Sequence, residues 1–333
     1  MTALTTQNGI SAQLKLRIID ADPEIRRIAL MDLADSEDED LIEPLLIDAL
    51  HDVDANVRAE AAAALEGYES EAVVAALIGV LTDSDPQVGA NAALSLGELK
   101  DTSLGGVLLN ALDTSSGYAK AAIFRALKEL KVPGSLEPAL AAIADADADV
   151  RQAAVGVLGY LKDPHALASL SRVATQDADS EVRRIAVGAL GFAPSLPAVF
   201  PALIDALNDA SWQVREEAVM TLGKLRAENA IPQLIAAMQD SYWQVRIKAA
   251  RSLGKLKSRE ALPALSEALF HAVSNLRKEA AVALGEVGDA RALPALEKAL
   301  EDPDPDVRKL AKLAISQIAR QDADKAYWKG KMP

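Results

Sequence analysis

The sequence predicts an all-α fold, an α-solenoid of about ten two-helix repeats with a period of 31 or 32 residues. An apolar residue followed by arginine recurs at this period along the chain. The composition agrees, since 50% of the residues are hydrophobic but only 4% are aromatic. Alanine, leucine and valine therefore supply the apolar surface, which suits closely packed helices better than β-sandwiches. Helix pairs of this size cannot bury their own apolar faces, so consecutive pairs are expected to stack into one core.

The recurring apolar–arginine pair marks the start of the second helix of each repeat. Val88-Gly89 and Ala119-Lys120 occupy the same position in two repeats that lack the arginine. We therefore predict a single solenoid over residues 1–320 and a C-terminal tail or cap over 321–333. The pair itself is found at Ile25-Arg26, Val57-Arg58, Val150-Arg151, Val182-Arg183, Val214-Arg215, Val245-Arg246, Leu276-Arg277 and Val307-Arg308.

The last repeat shows why each element is expected. Its first helix, ARALPALEKAL, has apolar residues at helical spacing and Pro294 in the first turn, where a missing N–H costs little. The segment EDPDPD then forms a turn, in which Asp304 is a good N-cap and Pro305 takes the first helical position. VRKLAKLAISQI forms the second helix.

Two polar positions precede each apolar–arginine pair. The nearer one, the expected N-cap, is aspartate or serine except at Tyr242 and Val273. The farther one, two residues earlier, is aspartate except at Thr114 and His271. A guanidinium group binds a carboxylate with two parallel hydrogen bonds, so each arginine is expected to join the aspartates or carbonyls of neighbouring turns. We interpret this series as structural and not as a catalytic array.

The charge of the chain excludes some partners. The net charge is −14, and the stretch from Asp20 to Glu71 carries 17 acidic and 3 basic residues, with its densest run at Asp35 to Asp40. This end should repel nucleic acid, and the run is expected to be a solvated face. No stretch approaches the roughly 20 apolar residues of a membrane span, so we expect a cytoplasmic protein without a membrane or nucleic-acid partner.

Residues for catalysis are sparse. There is no cysteine, which excludes thiol chemistry and any metal cluster that this chain alone would hold through cysteine. The three histidines, His51, His165 and His271, lie far apart in the repeats and have no neighbouring glutamate. No serine lies in a nucleophile elbow, and no phosphate-binding glycine loop is present. We predict no catalytic residue, no metal and no cofactor.

The repeat has the pattern A-x-x-P-x-L-x-x-A-L…D-x-D-x-x-V-R-x-x-A-x-x-A-L-G, which resembles the HEAT-like repeat of phycobilisome-lyase-type proteins. The resemblance covers about nine-tenths of the chain. It implies a HEAT-like solenoid but does not imply one function, because the family includes bilin lyase subunits, phycobiliprotein-handling factors, scaffold proteins and a metal-dependent hydroxylase. The iron-binding His-Glu pairs of the hydroxylases are missing here.

Repeats seven to nine depart most from the pattern. Trp212, Tyr242 and Trp243 lie at the turn before the second helix, among many basic residues. Aromatic residues flanked by arginine and lysine are typical of protein-binding hot spots, although an indole here can also simply cover the turn of the next repeat. The tail adds Trp328, which either covers the open end of the solenoid or belongs to a binding motif. The predicted partner-binding residues are Trp212, Tyr242, Trp243, Arg246, Lys248, Arg251, Lys255 and Trp328.

The sequence therefore predicts a non-enzymatic scaffold or adaptor that binds a partner protein on its concave face and on the edge of repeats seven to nine. The resemblance also allows a cyanobacterial HEAT-repeat protein whose partner is an iron–sulfur carrier, which would then supply the thiols. The alternative is a bilin lyase subunit or phycobiliprotein-handling factor. Lyases of this shape often act as heterodimers. Phe124, Tyr160 and Phe192 are the candidate aromatic residues of a bilin groove, but they suit the core or the rim of the repeats equally well.

Overall fold

The computed structural model describes residues 12–34, 39–193 and 195–329, with the backbone alone at 12, 34, 39–41 and 322–329. The acidic run from Asp35 to Asp40 thus has no described side chain. Within these ranges the chain forms twenty α-helices and no β-strand. They form ten consecutive pairs, as predicted, and they divide into two compact units, Met1–Leu161 and Lys162–Pro333.

The first unit contains the first five helix pairs. Its second helices, α2, α4, α6, α8 and α10, pack side by side, and each first helix packs against the second helix of its own pair. The helices are α1 (Ala12–Ile18), α2 (Pro23–Ala34), α3 (Glu39–Ala49), α4 (Ala55–Ala64), α5 (Glu71–Gly79), α6 (Pro86–Gly97), α7 (Gly105–Ala111), α8 (Gly117–Glu129), α9 (Leu136–Ala142) and α10 (Ala148–Leu161).

The second unit repeats this arrangement. Its second helices, α12, α14, α16, α18 and α20, again form one packed layer, and most of its first helices begin with a short 3-10 turn. The helices are α11 (Leu167–Gln176), α12 (Ser180–Ala189), α13 (Leu196–Ala206), α14 (Trp212–Lys224), α15 (Ile231–Ala237), α16 (Trp243–Lys255), α17 (Leu262–Ala268), α18 (Ser274–Val287), α19 (Leu293–Lys298) and α20 (Pro305–Lys329).

Small residues at one register let the second helices approach closely. Ala218, Ala249, Ala280 and Ala311 occupy equivalent positions on α14, α16, α18 and α20, and each is at most 1% exposed. The apolar residue before each arginine is also buried, from Val57 to Val307. This residue therefore belongs to the core, while the arginine beside it stays at the edge of the layer.

The predicted series of arginines and aspartates is confirmed, and we call it the Arg–Asp ladder. In the second unit Arg183 binds Asp209 at 2.7 Å, and the same arginine donates to the carbonyls of Asp177 and Ala178. The bond to the carboxylate joins one repeat to the next, so the ladder is structural. Its other arginine rungs are Arg26–Asp52, Arg58–Asp83, Arg215–Asp240 and Arg277–Asp302, each at 2.7 Å.

The same aspartates tie down the turns. The backbone N–H of Asp304 donates to Asp302, whose carboxylate also receives Arg277. The bond from Arg277 lowers the pKa of Asp302 most, although burial opposes it. Lys120 replaces arginine in one repeat and binds Asp145 at 2.9 Å. A lysine has no planar fork, so this rung has a single bond in place of two.

The N-cap prediction is confirmed for the aspartates and wrong for two serines. Asp54, for example, accepts the N–H groups of Asn56 and Val57. Ser211 accepts no cap bond, because its hydroxyl donates to the Gln213 side chain at 2.8 Å. Ser116 makes none either, and the chain there enters α8 through Gly117 in the left-handed conformation, with φ at 51°.

Candidate functional site

Two of the three tryptophans of the predicted site begin a helix, as the sequence indicates. Trp212 is the first residue of α14, and Trp243 is the first residue of α16. Tyr242 precedes α16 and caps nothing with its side chain. Its ring instead stacks on Trp212, with the centroids 5.5 Å apart and the planes 15° from parallel. We call these three residues the aromatic edge.

The aromatic edge is partly open to solvent. Tyr242 is 45% exposed and Trp243 is 40% exposed, whereas Trp212 is half-buried beneath the tyrosine. Arg215 also lies over the Tyr242 ring, 5.7 Å from its centroid, while binding Asp240. The ladder therefore orients the aromatic residues, and the stacked pair presents a rigid apolar surface with a cation beside it.

Arg246 departs from the ladder because His271 replaces the usual aspartate. Its Nη1 lies 3.0 Å from Nε2 of His271, and Nδ1 of the same ring receives the N–H of Val273 at 3.0 Å. A neutral imidazole can accept at only one of its nitrogens, so one of the two donors faces a ring N–H. The partner of Arg246 is therefore an imidazole, whereas the arginines of the rungs given above bind a carboxylate.

Lys248 and Arg251 lie farther along α16 and are engaged within the layer of second helices. Lys248 lies 3.6 Å from Glu216 on α14, and Arg251 binds Glu279 on α18 at 2.7 Å. These contacts tie three adjacent helices together. The two residues still carry surface charge, since the side chain of Arg251 is 49% exposed.

Lys255 lies at the opposite end of α16 from the aromatic edge. Twelve helical steps of 1.5 Å place it about 18 Å along the axis from Trp243. The structure thus brings Trp212, Tyr242, Trp243 and Arg246 together, but it separates Lys255 from them. In the sequence these residues form one basic stretch. The rise of a helix per residue is enough to predict that they separate along its axis.

Around Lys255 lies a second feature, which we call the C-terminal cleft. It has a volume of about 750 Å³ and crosses the C-terminal halves of α14, α16, α18 and α20. Its charged lining consists of five basic residues and one acidic residue, namely Lys224, Arg226, Lys255, Lys257, Arg320 and Glu286. The predicted site included Lys255 of these bases and placed it in the surroundings of the tryptophans.

Two glutamates of the second-helix layer have altered acidity. Burial raises the pKa of Glu286, the neighbouring Glu279 raises it further, and Lys255 opposes both. Burial also raises the pKa of Glu217, against the attraction of Arg184. Neither group lies beside a described nucleophile or metal site, so the shifts reflect packing between helices.

Trp328 belongs to the last part of α20, and its side chain lies outside the described residues. Its role as cap or binding residue stays a prediction.

The candidate aromatic residues of a bilin groove do not lie on one surface. Phe124 is 1% exposed and belongs to the core of α8. Phe192 is half-buried, and Tyr160 is 38% exposed beneath the ammonium group of Lys131. Phe124 is therefore a packing residue and is not available to a ligand.

The histidines have separate surroundings. His165 binds Asp163 at 2.7 Å, His51 is exposed, and His271 contacts Arg246. Across the described parts of the chain, no three histidine or carboxylate side chains converge as metal ligands would. None of the described helices is both long and apolar enough to cross a bilayer.

Comparison with solved structures finds the same architecture at low identity. Yeast importin-β (Kap95p) aligns with a TM-score of 0.64 and 16% identity over 90% of this chain and 50% of that protein. An Escherichia coli protein, YibA, aligns with a TM-score of 0.54 and 21% identity over 87% of this chain and 95% of that one. An engineered protein gives 0.51 and 21% over 92% and 98% of the two chains. The chain thus spans about half the length of importin-β, and these likenesses show the fold.

The comparison with curated proteins finds no match. The family description "HEAT repeats" matches this chain at residues 43–128, 106–191, 172–246, 200–276 and 271–326. It does not distinguish the phycobilisome-lyase type from other HEAT repeats, so that part of the resemblance stays an expectation. The matches overlap along most of the 333-residue sequence and coincide with the helix pairs of both units. The chain therefore belongs to the HEAT repeat family.

Proposed function

We propose that this protein is a non-enzymatic scaffold that binds a partner protein at the aromatic edge and on the adjoining layer of second helices. The observation that carries the proposal is the stacked pair of Trp212 and Tyr242 beside the exposed Trp243. Large aromatic residues next to arginine contribute most of the binding free energy in many interfaces. In a chain with only 4% aromatic residues, three of them meet at one edge.

The fold supports the class of function without naming the partner. The solved HEAT structures include Kap95p with RanGDP, Kap95 with Nup1, and Kap121p bound to Nup53p. Those proteins bind other proteins, and the same use of stacked repeats is proposed here. An iron–sulfur carrier is one candidate partner, and this chain would then act without a cluster of its own.

The test is the double variant Trp212→Ala with Trp243→Ala. Proteins captured by the immobilised chain from its native source are identified by mass spectrometry, and each candidate is then titrated against purified protein. We expect the double variant to weaken binding of the true partner by about 100-fold, as loss of two hot-spot residues does. Tyr118→Ala is the matched control, because Tyr118 is 45% exposed but lies in the first unit.

Circular dichroism and thermal unfolding show whether the double variant remains folded. If the folded double variant and the parent bound every purified partner with equal affinity, this would contradict the proposal that the partner binds at the aromatic edge.

The alternative function, a bilin lyase subunit or phycobiliprotein-handling factor, has a separate readout. Co-expression with a bilin and an apo-phycobiliprotein, with and without candidate second subunits, should give no covalent coloured adduct if the protein is only a scaffold. Visible absorbance that persists after denaturation would contradict the non-enzymatic assignment and favour the alternative.

A further inference from the structure

The C-terminal cleft has a regular arrangement of positive charge. Lys224 and Lys255 end α14 and α16 at the same register, and Arg226 and Lys257 follow them two residues later in each repeat. Adjacent packed helices lie about 10 Å apart, so the cations form two short rows with this spacing. Arg320 on α20 adds positive charge at the other side of the cleft.

These cations form no close ion pair within the described part of the chain, although Glu286 and Glu217 attract three of them at longer range. Ion pairs such as Arg251–Glu279 and Lys278–Asp304 lie nearer the middle of the layer, whereas none of the five cleft cations has a described carboxylate within 4.0 Å. The one lining carboxylate, Glu286, is half-buried between α16 and α18. Helix C-termini carry only about half a negative charge each, which offsets part of two cations per helix.

Two of these cations have an unfavourable backbone conformation. Arg226 and Lys257 adopt left-handed φ angles of 52° and 51°. The equivalent residue of the next repeat is Gly288, with φ at 64°. Glycine is the usual residue at this position after a helix because it lacks a Cβ. The two basic side chains therefore occupy a position at which the backbone favours glycine, as Lys131 and Lys162 also do in repeats outside the cleft.

We propose that the C-terminal cleft binds an extended acidic peptide segment of a partner protein. An extended chain advances about 10 Å in three residues, which matches the spacing between equivalent cations on neighbouring helices. The amide side chains of Gln317 and Gln321 line the same cleft and can hydrogen-bond a peptide backbone. Four helices span about 30 Å, or about nine extended residues.

Other anions fit the cleft less well. Among the described residues, its lining contains no aromatic side chain on which bases could stack. A single phosphate would occupy only part of the rows, which extend across neighbouring helices. The surface is also separate from the aromatic edge, which lies at the other ends of the same helices.

The probe is a fluorescein-labelled oligoglutamate of about nine residues, titrated with the full chain by fluorescence polarisation. We expect saturable binding that weakens as NaCl rises from about 50 mM to about 500 mM, because salt screens exposed charges. The charge reversal of Lys255→Glu with Lys257→Glu should weaken binding by about tenfold.

The matched control is Lys309→Glu with Lys312→Glu, which changes the net charge equally at exposed positions of α20 outside the cleft. It should weaken binding by less than about twofold, through long-range charge alone. A neutral pair, Lys224→Gln with Lys255→Gln, should also weaken binding, and circular dichroism checks the fold of every variant. Trp212→Ala with Trp243→Ala should leave oligoglutamate binding unchanged, which separates this proposal from the proposed function.

Three results would overturn the proposal. Equal losses in the cleft and control variants would mean that only net charge matters. Equal affinity for an oligoglutamine peptide would show that the cleft does not select for acid. Tighter binding of a labelled oligothymidylate would assign the cations to a nucleic acid.

Discussion

Arg183 shows what a single residue of the ladder does, because its guanidinium joins a carboxylate of the next repeat to two carbonyls of its own turn. The aspartate that receives such an arginine also accepts a backbone N–H, as Asp240 does from Tyr242. Desolvation raises the pKa of Asp240, but the bonds from Arg215 and from the Tyr242 N–H outweigh it, so the net shift is downward.

Removing this carboxylate tests the rung below the aromatic edge. Asp240→Asn should lower the free energy of unfolding by about 2 kcal/mol, because the charged bonds from Arg215 are lost where the side chain is only 11% exposed. It should also loosen Tyr242, whose N–H the carboxylate holds. Urea denaturation measures the first effect and tryptophan fluorescence the second. A midpoint equal to that of the parent would show that the rung contributes no stability.

Restoring the missing carboxylate is the reverse experiment. His271→Asp should raise the free energy of unfolding by about 1 kcal/mol, because Arg246 and the Val273 N–H then both meet an acceptor, as Arg277 and the Asp304 N–H do at Asp302. Urea denaturation of His271→Asp and of the control His165→Asp checks this, since His165 is exposed and outside the ladder. A gain in stability in both variants, or in neither, would contradict the interpretation that one of the two donors to His271 lacks an acceptor.

At the scale of the element, each second helix has two distinct ends. Its N-terminal end carries the ladder and, in α14 and α16, the aromatic edge. The C-terminal ends of α14, α16 and α20 carry the cations of the cleft. The left-handed residue after the helix recurs as Lys131, Lys162, Arg226 and Lys257. A basic side chain there is favoured by the helix dipole but disfavoured by the backbone.

Glycine at these positions should therefore stabilise the fold while removing cleft charge. Arg226→Gly and Lys257→Gly should each raise the free energy of unfolding by up to about 1 kcal/mol, since φ near 50° costs a residue with a Cβ. The alanine variants retain that cost and serve as controls in urea denaturation. Glycine variants less stable than the alanine variants would contradict this reading of the backbone.

The helix α6 shows the opposite constraint at Gly89, where the ladder arginine is missing. A Cβ there would lie 2.7 Å from the carbonyl oxygen of Leu81. Gly89→Ala should cost about 2 kcal/mol, because backbone must move. Gly97→Ala in the same helix meets nothing within 4 Å and should be neutral or stabilising. Thermal unfolding compares the two, and equal melting temperatures would refute the close contact.

At the scale of the whole molecule, the shared pKa shifts of the ladder predict how stability depends on pH. Their arginine partners lower the pKa of Asp52, Asp83 and Asp302, so the folded chain binds protons less readily than the unfolded chain. That stability is present above about pH 4, the unfolded value, and is lost as pH falls through the lower folded values. Urea midpoints at about pH 7, 5 and 3 measure it, and an unchanged midpoint at the lowest pH would contradict it.

Much of this architecture could be predicted because the repeat pattern, with variations, recurs ten times along the chain. Asp-x-Asp-x-x-Val-Arg identifies the turn, the cap, the core residue and the ladder within one repeat, and a local hydrogen-bonding pattern needs no tertiary information. The exceptions at Tyr242, Val273 and His271 were visible for the same reason. The tertiary contacts of Lys248 and Arg251 could not be predicted in this way, because their partners lie on neighbouring helices, about one repeat away.

The sequence alone determined the fold class, the repeat boundaries and the presence of unusual aromatic residues in repeats seven to nine. Periodicity and capping are local properties, so repeats with similar sequences form the same helices and turns. Only the tertiary structure decided that Tyr242 stacks on Trp212 of the preceding repeat, and that the nearby basic residues divide between two ends of the helices. The physical reason is that a helix advances 1.5 Å per residue, so charges close in sequence become separate surfaces once neighbouring helices pack around them.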